Sequence, residues 1–211
     1  MKRAEYLKDE NWRGSYYELA LELGPYGDDA LLRQALEALW RQPELRGPWR
    51  ERSHFGRDPD QSVAVPGNAA LYGCLALDTG ECVGCVSHVV RVETESDWLD
   101  LSIPTGMLGL RFPVVYPLDL ATSPWIATVD RVLVRIAAAI YAAAPFRLGL
   151  VGEEASGASS AGEVTAQECE RGGFLVPDDL WRRLEPNRKG DRLPPGLVYV
   201  PLVGPHITYG G

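Results

Sequence analysis

Hydrophobic and polar positions alternate from Ser15 to Leu23, with Tyr17, Leu19, Leu21 and Leu23 on one side and Tyr16, Glu18, Ala20 and Glu22 on the other. A period of two with bulky apolar residues on one side predicts a half-buried strand, which Gly24-Pro25 ends. The period then lengthens. Leu32, Ala35, Leu36, Leu39 and Trp40 fall at helical spacing, so a helix capped by Asp28 or Asp29 is predicted to run to Gln42, just before Pro43. A second, longer helix is predicted from Ser123-Pro124, a capping residue followed by one preset for the first turn, to Ala144. Its core stripe is Ile126, Val129, Leu133, Ile136 and Ile140. The other face carries Thr128, Arg131 and Arg135 and then only alanines, which predicts cover on both sides near the end.

Between and after these helices the pattern predicts short strands. Leu71–Leu77 and Val83–Glu93 flank a hairpin turn at Asp78-Thr79-Gly80-Glu81. Trp98–Ile103 alternates again, Met107–Phe112 follows a turn at Pro104-Thr105-Gly106, and Phe146–Val151 suits a buried strand. Leu197–Leu202 reads as a last strand at a sheet edge, because Pro201 has no N–H to donate. Short helices are predicted over Val164–Glu170 and from Pro177-Asp178. Residues 45–68 form a long connector with room for one short strand, and 152–170 an acidic flexible loop leading into the short helix. The expectation is one α+β domain over residues 1–211. It is a mixed or antiparallel sheet of six to eight strands with the two long helices on one face. The β-α before the meander and the α-β after it allow a pseudo-duplicated β-α-β-β arrangement.

Composition adds that 45% hydrophobic and 24% charged residues describe an ordinary folded chain, and that 38 Gly and Pro in 211 demand tight connections. The start is charged and lacks an apolar run, so no secretory signal is expected. The longest apolar run, Ile136–Phe146, is too short for a bilayer, so no membrane contact is expected either. The four cysteines are then expected to be reduced thiols in a cytoplasm. Cys82-x-x-Cys85-x-x-His88, with Cys74, has metal-ligand residue types. If Leu77 pairs with Cys82, however, Cys74 lies opposite Cys85, and Cys82 and Cys85 face opposite sides of the strand. Buried thiols are the better expectation, with no metal and no cofactor. Gly149–Gly157 is glycine-bearing but lacks the residues of a phosphate loop, and His54, His88 and His206 have no catalytic neighbours. The terminal Gly210-Gly211 reads as a frayed end.

The net charge of −8 is uneven: Asp78–Asp100 carries −5 and Gly152–Glu170 another −5. No concentrated basic face is present, so nucleic acid is not an expected partner. Acidic patches favour encounter with a basic protein. Glu93, Glu95, Asp97 and Asp100 surround Trp98, an aromatic anchor with an acidic rim, and these five are the candidate partner-binding residues. The expected function is therefore a non-catalytic cytoplasmic binding protein docking a basic partner, as an immunity-like neutraliser would. The alternative is a small-molecule sensor or enzyme with a pocket between sheet and helices, near Glu153, Glu154, Arg131 and Arg135.

Overall fold

β1 (Tyr16–Pro25) lies at the middle of the sheet and is buried along almost its whole length. The computed structural model describes residues 1–60 and 70–202; the second part of the expected connector, His206 and the terminal Gly-Gly lie outside them. After β1 the chain enters α2 (Asp29–Trp40), whose first turn is capped by the Asp28 carboxylate accepting from the Leu31 amide at 3.0 Å. This helix carries the chain to β2 (Leu45–Trp49), the short strand the connector had room for. β3 (Leu71–Ala76), β4 (Cys82–Val90) and β5 (Ser96–Pro104) then meander back until β5 pairs with β1. On the other side of β1 lies β6 (Leu148–Glu153), followed by β7 (Phe174–Pro177), β8 (Asp191–Leu193) and β9 (Leu197–Val200).

Nine strands thus form one sheet in the order β2-β3-β4-β5-β1-β6-β7-β9-β8, with every neighbouring pair antiparallel. The α+β class holds, and the sheet is wider than expected. β9 sits between β7 and β8, which corrects its placement at an edge: Pro201 lies beyond the strand and costs the ladder nothing. The order β-α-β-β occurs in each half, as β1-α2-β2-β3 and as β7-α6-β8-β9 with α6 at Asp178–Leu184; the first run continues through β4 and β5, and α5 (Ala166–Arg171) separates β6 from β7.

The main core lies on one face of the sheet. Tyr17, Leu19 and Leu21 of β1 and Leu99, Leu101 and Ile103 of β5 meet Leu32, Leu36 and Leu39 of α2 there. They also meet Ile126, Val129, Leu133 and Ile136 of α4 (Ile126–Ala143), so both long helices share this face as the stripes predicted. The α4 start falls two residues later than expected, with Trp125 in place of Ser123 before the first turn. Ser123 spends its hydroxyl on the Val115 carbonyl, and its own carbonyl closes a turn with the Ile126 amide. Trp40 ends α2 lying over two glycines of the sheet: an added Cβ at Gly73 would sit 2.6 Å from the indole, and one at Gly47 3.0 Å.

Two further expectations change. The half-buried β1 is buried on both faces, because its Glu18, Ala20 and Glu22 side is also covered. Met107–Phe112 is not a strand: α3 (Thr105–Leu108) turns the chain there. The Thr105 and Gly106 amides are tied to the carbonyls of Ser15 and Arg13, so the backbone leaves the sheet as soon as β5 ends. At the N-terminus α1 (Arg3–Leu7) brings Tyr6 into a nest of Trp12, Trp49 and Phe55, and Tyr6 donates to the Gly73 carbonyl at 3.1 Å. No helix among the described residues is long and apolar enough to cross a membrane.

Candidate functional site

The second face of the sheet decides where the predicted residues go. Successive side chains of a strand point to opposite faces, so Trp98, Asp100 and Ser102 of β5 share a face with Glu18, Ala20 and Glu22 of β1, to which they are paired in register. The segment after β6 folds back over this face. Ala155 and Val164 pack with Ala20, Trp98, Leu148 and Leu150 in a second apolar cluster. Trp98 is only 8% exposed as a result. The expected exposed anchor is corrected: Trp98 belongs to the interior, and its position across from Glu22 under the returning segment is the reason.

Its acidic neighbours separate. Asp97 and Asp100 are 2% and 4% exposed, whereas Glu93 and Glu95 stand in solvent on the β4–β5 turn. Asp97 is spent on structure: Arg91 grips it with Nε at 3.0 Å and Nη2 at 2.8 Å, while the Gly27 amide donates to its Oδ2. The same guanidinium reaches Asp29 with Nη1 at 2.7 Å. Arg91 therefore ties the β4–β5 turn to the β1–α2 turn, and these carboxylates raise its pKa. A bulge at Leu23, where Glu22 pairs with Trp98 and Gly24 with Asp97, re-aims the end of β1 toward this corner.

The two turns bring together an aromatic residue the sequence reading passed over. Tyr26 is 47% exposed, its amide donates to the Glu95 carbonyl at 3.2 Å, and Arg91 lies 5.4 Å over its ring. Val90 and Val92, on either side of Arg91 in the chain, are also exposed, Val92 to 43%. Asp28, Glu93 and Glu95 complete the rim. A signal existed: Pro25-Tyr26-Gly27-Asp28-Asp29 sets a tyrosine in a turn beside two acids, and only its turn residues were used.

The second predicted group divides as well. Glu153 and Glu154 lie where β6 meets the start of β1, since Glu153 pairs with Tyr17, while the Tyr26 corner lies at the other end of β1. Glu153 and Glu154 thus stand apart from Glu93 and Glu95. The Ser15 hydroxyl donates to Glu153 Oε1 at 2.6 Å and lies 2.9 Å from the Tyr116 hydroxyl, and Glu154 accepts from the Tyr16 amide. Arg131 and Arg135 pair elsewhere, with Asp78, and Arg135 also with Glu44. Asp78, on the β3–β4 turn, thus sits between the two arginines. A cleft of about 210 Å³ between Tyr141, Phe146, Leu180 and Arg183 contains none of these four residues.

The cysteines correct two readings. The β3–β4 register is Ala76 with Cys82, one residue from the expected pairing, which sets Cys74 opposite Gly84 instead of Cys85. Cys74 and Cys82 then share a face at a Cα separation of 6.3 Å and form a disulfide, where reduced thiols were expected. Cys85 points to the opposite face, in the main core, and burial pushes its thiol pKa up. Cys169 is buried too, its thiol raised to about 12 by burial and then by Glu168 and Glu170. Neither thiol is primed as a nucleophile.

Beneath the returning segment the structure brings together carboxylates that the sequence reading did not connect. Glu18 accepts from the Ser102 hydroxyl and the Ser156 amide, and Asp100 accepts from the Ser156 hydroxyl at 2.8 Å. Burial raises the pKa of both, Asp100 to about 7. His88 stands across from Asp100 in the β4–β5 ladder, and burial lowers its pKa. No protein-family model matches this chain, and neither a curated protein nor a solved structure does so.

Proposed function

We propose that the protein is a non-catalytic binding module that docks a basic protein partner on the corner built from the β1–α2 and β4–β5 turns. A neutraliser of a basic effector domain would work in this way. One observation carries the reading: an exposed Tyr26 is held to the β4–β5 turn by the Glu95 carbonyl and Arg91, and that turn exposes Val92, Glu93 and Glu95, with Asp28 exposed two residues beyond Tyr26. Aromatic and aliphatic anchors supply desolvated contact area, and the surrounding charge supplies steering and register. The Arg91 bridge to Asp29 and Asp97 fixes both turns before any partner arrives, which reduces the ordering cost of association. Glu93 and Glu95 keep the role the sequence suggested for them, and Tyr26 takes the place of Trp98.

The test is affinity capture from native lysate at low ionic strength with the wild-type protein and with a Glu93→Lys/Glu95→Lys variant. A basic protein retained by the first and lost by the second supports the reading, with association slowed tenfold or more by the charge reversal. Equal capture by both proteins ends it.

The compartment belongs to the same proposal. A cytoplasm keeps thiols reduced, whereas a linked Cys74–Cys82 pair suits an oxidising space. Alkylating the denatured protein as isolated from its own cells decides between them: four labelled thiols fit the cytoplasmic reading, and two place the protein in an oxidising compartment.

A further inference from the structure

The segment Glu154–Val164 lies over the second face of the sheet and is anchored there by very few polar bonds. The Glu154 amide donates to the Tyr16 carbonyl at its start, and the Ala161 amide donates to Glu22 Oε2. Between them the Ala155 amide bonds Glu18, and Ser156 reaches the sheet twice. Its amide meets Glu18 and its hydroxyl meets Asp100, so one residue bridges two buried carboxylates. The interface is imperfectly paired: Asp100 Oδ1 and the Ser159 hydroxyl are both buried without a hydrogen-bond partner. An ionised carboxylate with one buried, unpaired oxygen is far costlier than a neutral carboxyl in the same place.

We infer that residues 154–164 form a pH-gated lid, closed while Asp100 carries a proton and lifting when that carboxyl ionises. The Ser156 hydroxyl favours the ionised form of Asp100, but burial outweighs it and the charged groups around the carboxyl act with burial. Glu18 of β1 adds like charge, and Glu154 of the lid adds more on Glu18. Burial of His88 on β4 lowers its pKa and disfavours the cation that would compensate Asp100. The adjoining β1 residue, Ala20, is apolar, and the next acid along the strand, Glu22, is occupied with Ser96, Ala161 and Arg147. Lifting the lid hydrates Asp100 and Glu18 and uncovers Ala20, Trp98 and Leu150, which it otherwise keeps dry.

The closed form holds the Asp100 proton up to about pH 7, whereas an opened, hydrated carboxyl releases it near its ordinary value of 3.8. The open population therefore rises by up to about tenfold per pH unit between these limits and levels off above the upper one. Amide hydrogen exchange on the full chain, corrected for the intrinsic pH dependence of exchange, reads this directly. Amides 155–164 should exchange progressively faster from pH 5 to pH 7, and by a larger factor than those of α4, which report global opening. In Asp100→Asn, which retains an acceptor for Ser156 and cannot ionise, most of this excess should be lost, Glu18 supplying the remainder. A wild-type profile no steeper than that of α4 overturns the lid, and so does an excess undiminished in the variant. The α4 amides also report whether the variant is folded, and circular dichroism of both proteins at pH 5 checks the same point independently.

Discussion

The Tyr17 hydroxyl donates to Asp130 Oδ1 at 2.6 Å, joining the central strand to the long helix in the interior of the protein. Tyr199 of β9 donates to the other oxygen at 3.0 Å. Two sheet strands and one helix thus meet on a single carboxylate that is 5% exposed. Burial raises its pKa to about 6, against the lowering influence of the two hydroxyls. Replacing Asp130 with alanine leaves both hydroxyls without their acceptor and opens a small cavity, so urea denaturation should show a loss of ~3 kcal/mol. A loss below ~1 kcal/mol would mean that the carboxylate is not the tie between these elements.

Arg91 and Tyr26 should respond in opposite ways. Arg91→Ala strands Asp97, a buried charge with no other cation, and should lower stability by ~3 kcal/mol. Tyr26→Ala removes an exposed ring and should leave the unfolding midpoint unchanged within ~0.5 kcal/mol while weakening partner capture. Chemical denaturation of the two variants side by side distinguishes the brace from the anchor.

Gly73 is the contact point for Trp40. A Cβ there would lie 2.6 Å from the indole ring and 3.0 Å from the Arg46 carbonyl. Gly73→Val should therefore cost ~2–3 kcal/mol through overpacking, with a shift in near-ultraviolet circular dichroism as the tryptophan moves. An unchanged spectrum and midpoint would show that Trp40 yields without cost.

Stability should decline as pH rises from acid toward neutrality. Asp100, Asp130 and Glu18 all have pKa values raised by burial, the first two to about 7 and about 6. The folded state keeps protons that the unfolded chain has already released. The stabilisation is complete below the ordinary carboxylate values and is lost as pH rises through the folded ones. Asp78, Glu5 and Asp119 pull the other way, held low by Arg135, Arg111 and the Thr122 amide respectively, but all three reach solvent and are screened; His88, lowered by burial, opposes the decline as well, one group against three. The denaturant midpoint should peak near about pH 5 and fall toward about pH 8. A midpoint that climbs across that range contradicts the burial of these three acids.

Reducing the Cys74–Cys82 link should matter modestly. The bond spans eight positions of a hairpin whose ladder already holds its ends together. Comparing the oxidised protein with Cys74→Ser/Cys82→Ser, the loss should be ~2 kcal/mol or less. A larger loss would mean that the hairpin depends on its cross-link.

Period and punctuation were enough for much of this architecture. The Tyr17-Leu19-Leu21 alternation, the two helical stripes and the turn at Asp78–Glu81 each specify an element through contacts within a few residues, which a linear pattern records. The short strands β7 and β8 left no such period, since four and three residues are too few to establish one. The site was less legible for the same reason. Acids around Trp98 form one run along the chain, yet alternate residues of a strand face opposite ways, and what covers each face comes from far away in sequence.

Local propensity and the side-chain period suffice for an α+β chain with two long helices. That Trp98 lies inside, that Tyr26 stands out and that Ser156 seals Glu18 and Asp100 came with the folded arrangement alone. Those outcomes depend on strand order, on a one-residue register and on a segment returning across the sheet, and long-range pairing of that kind leaves no periodic trace in the chain.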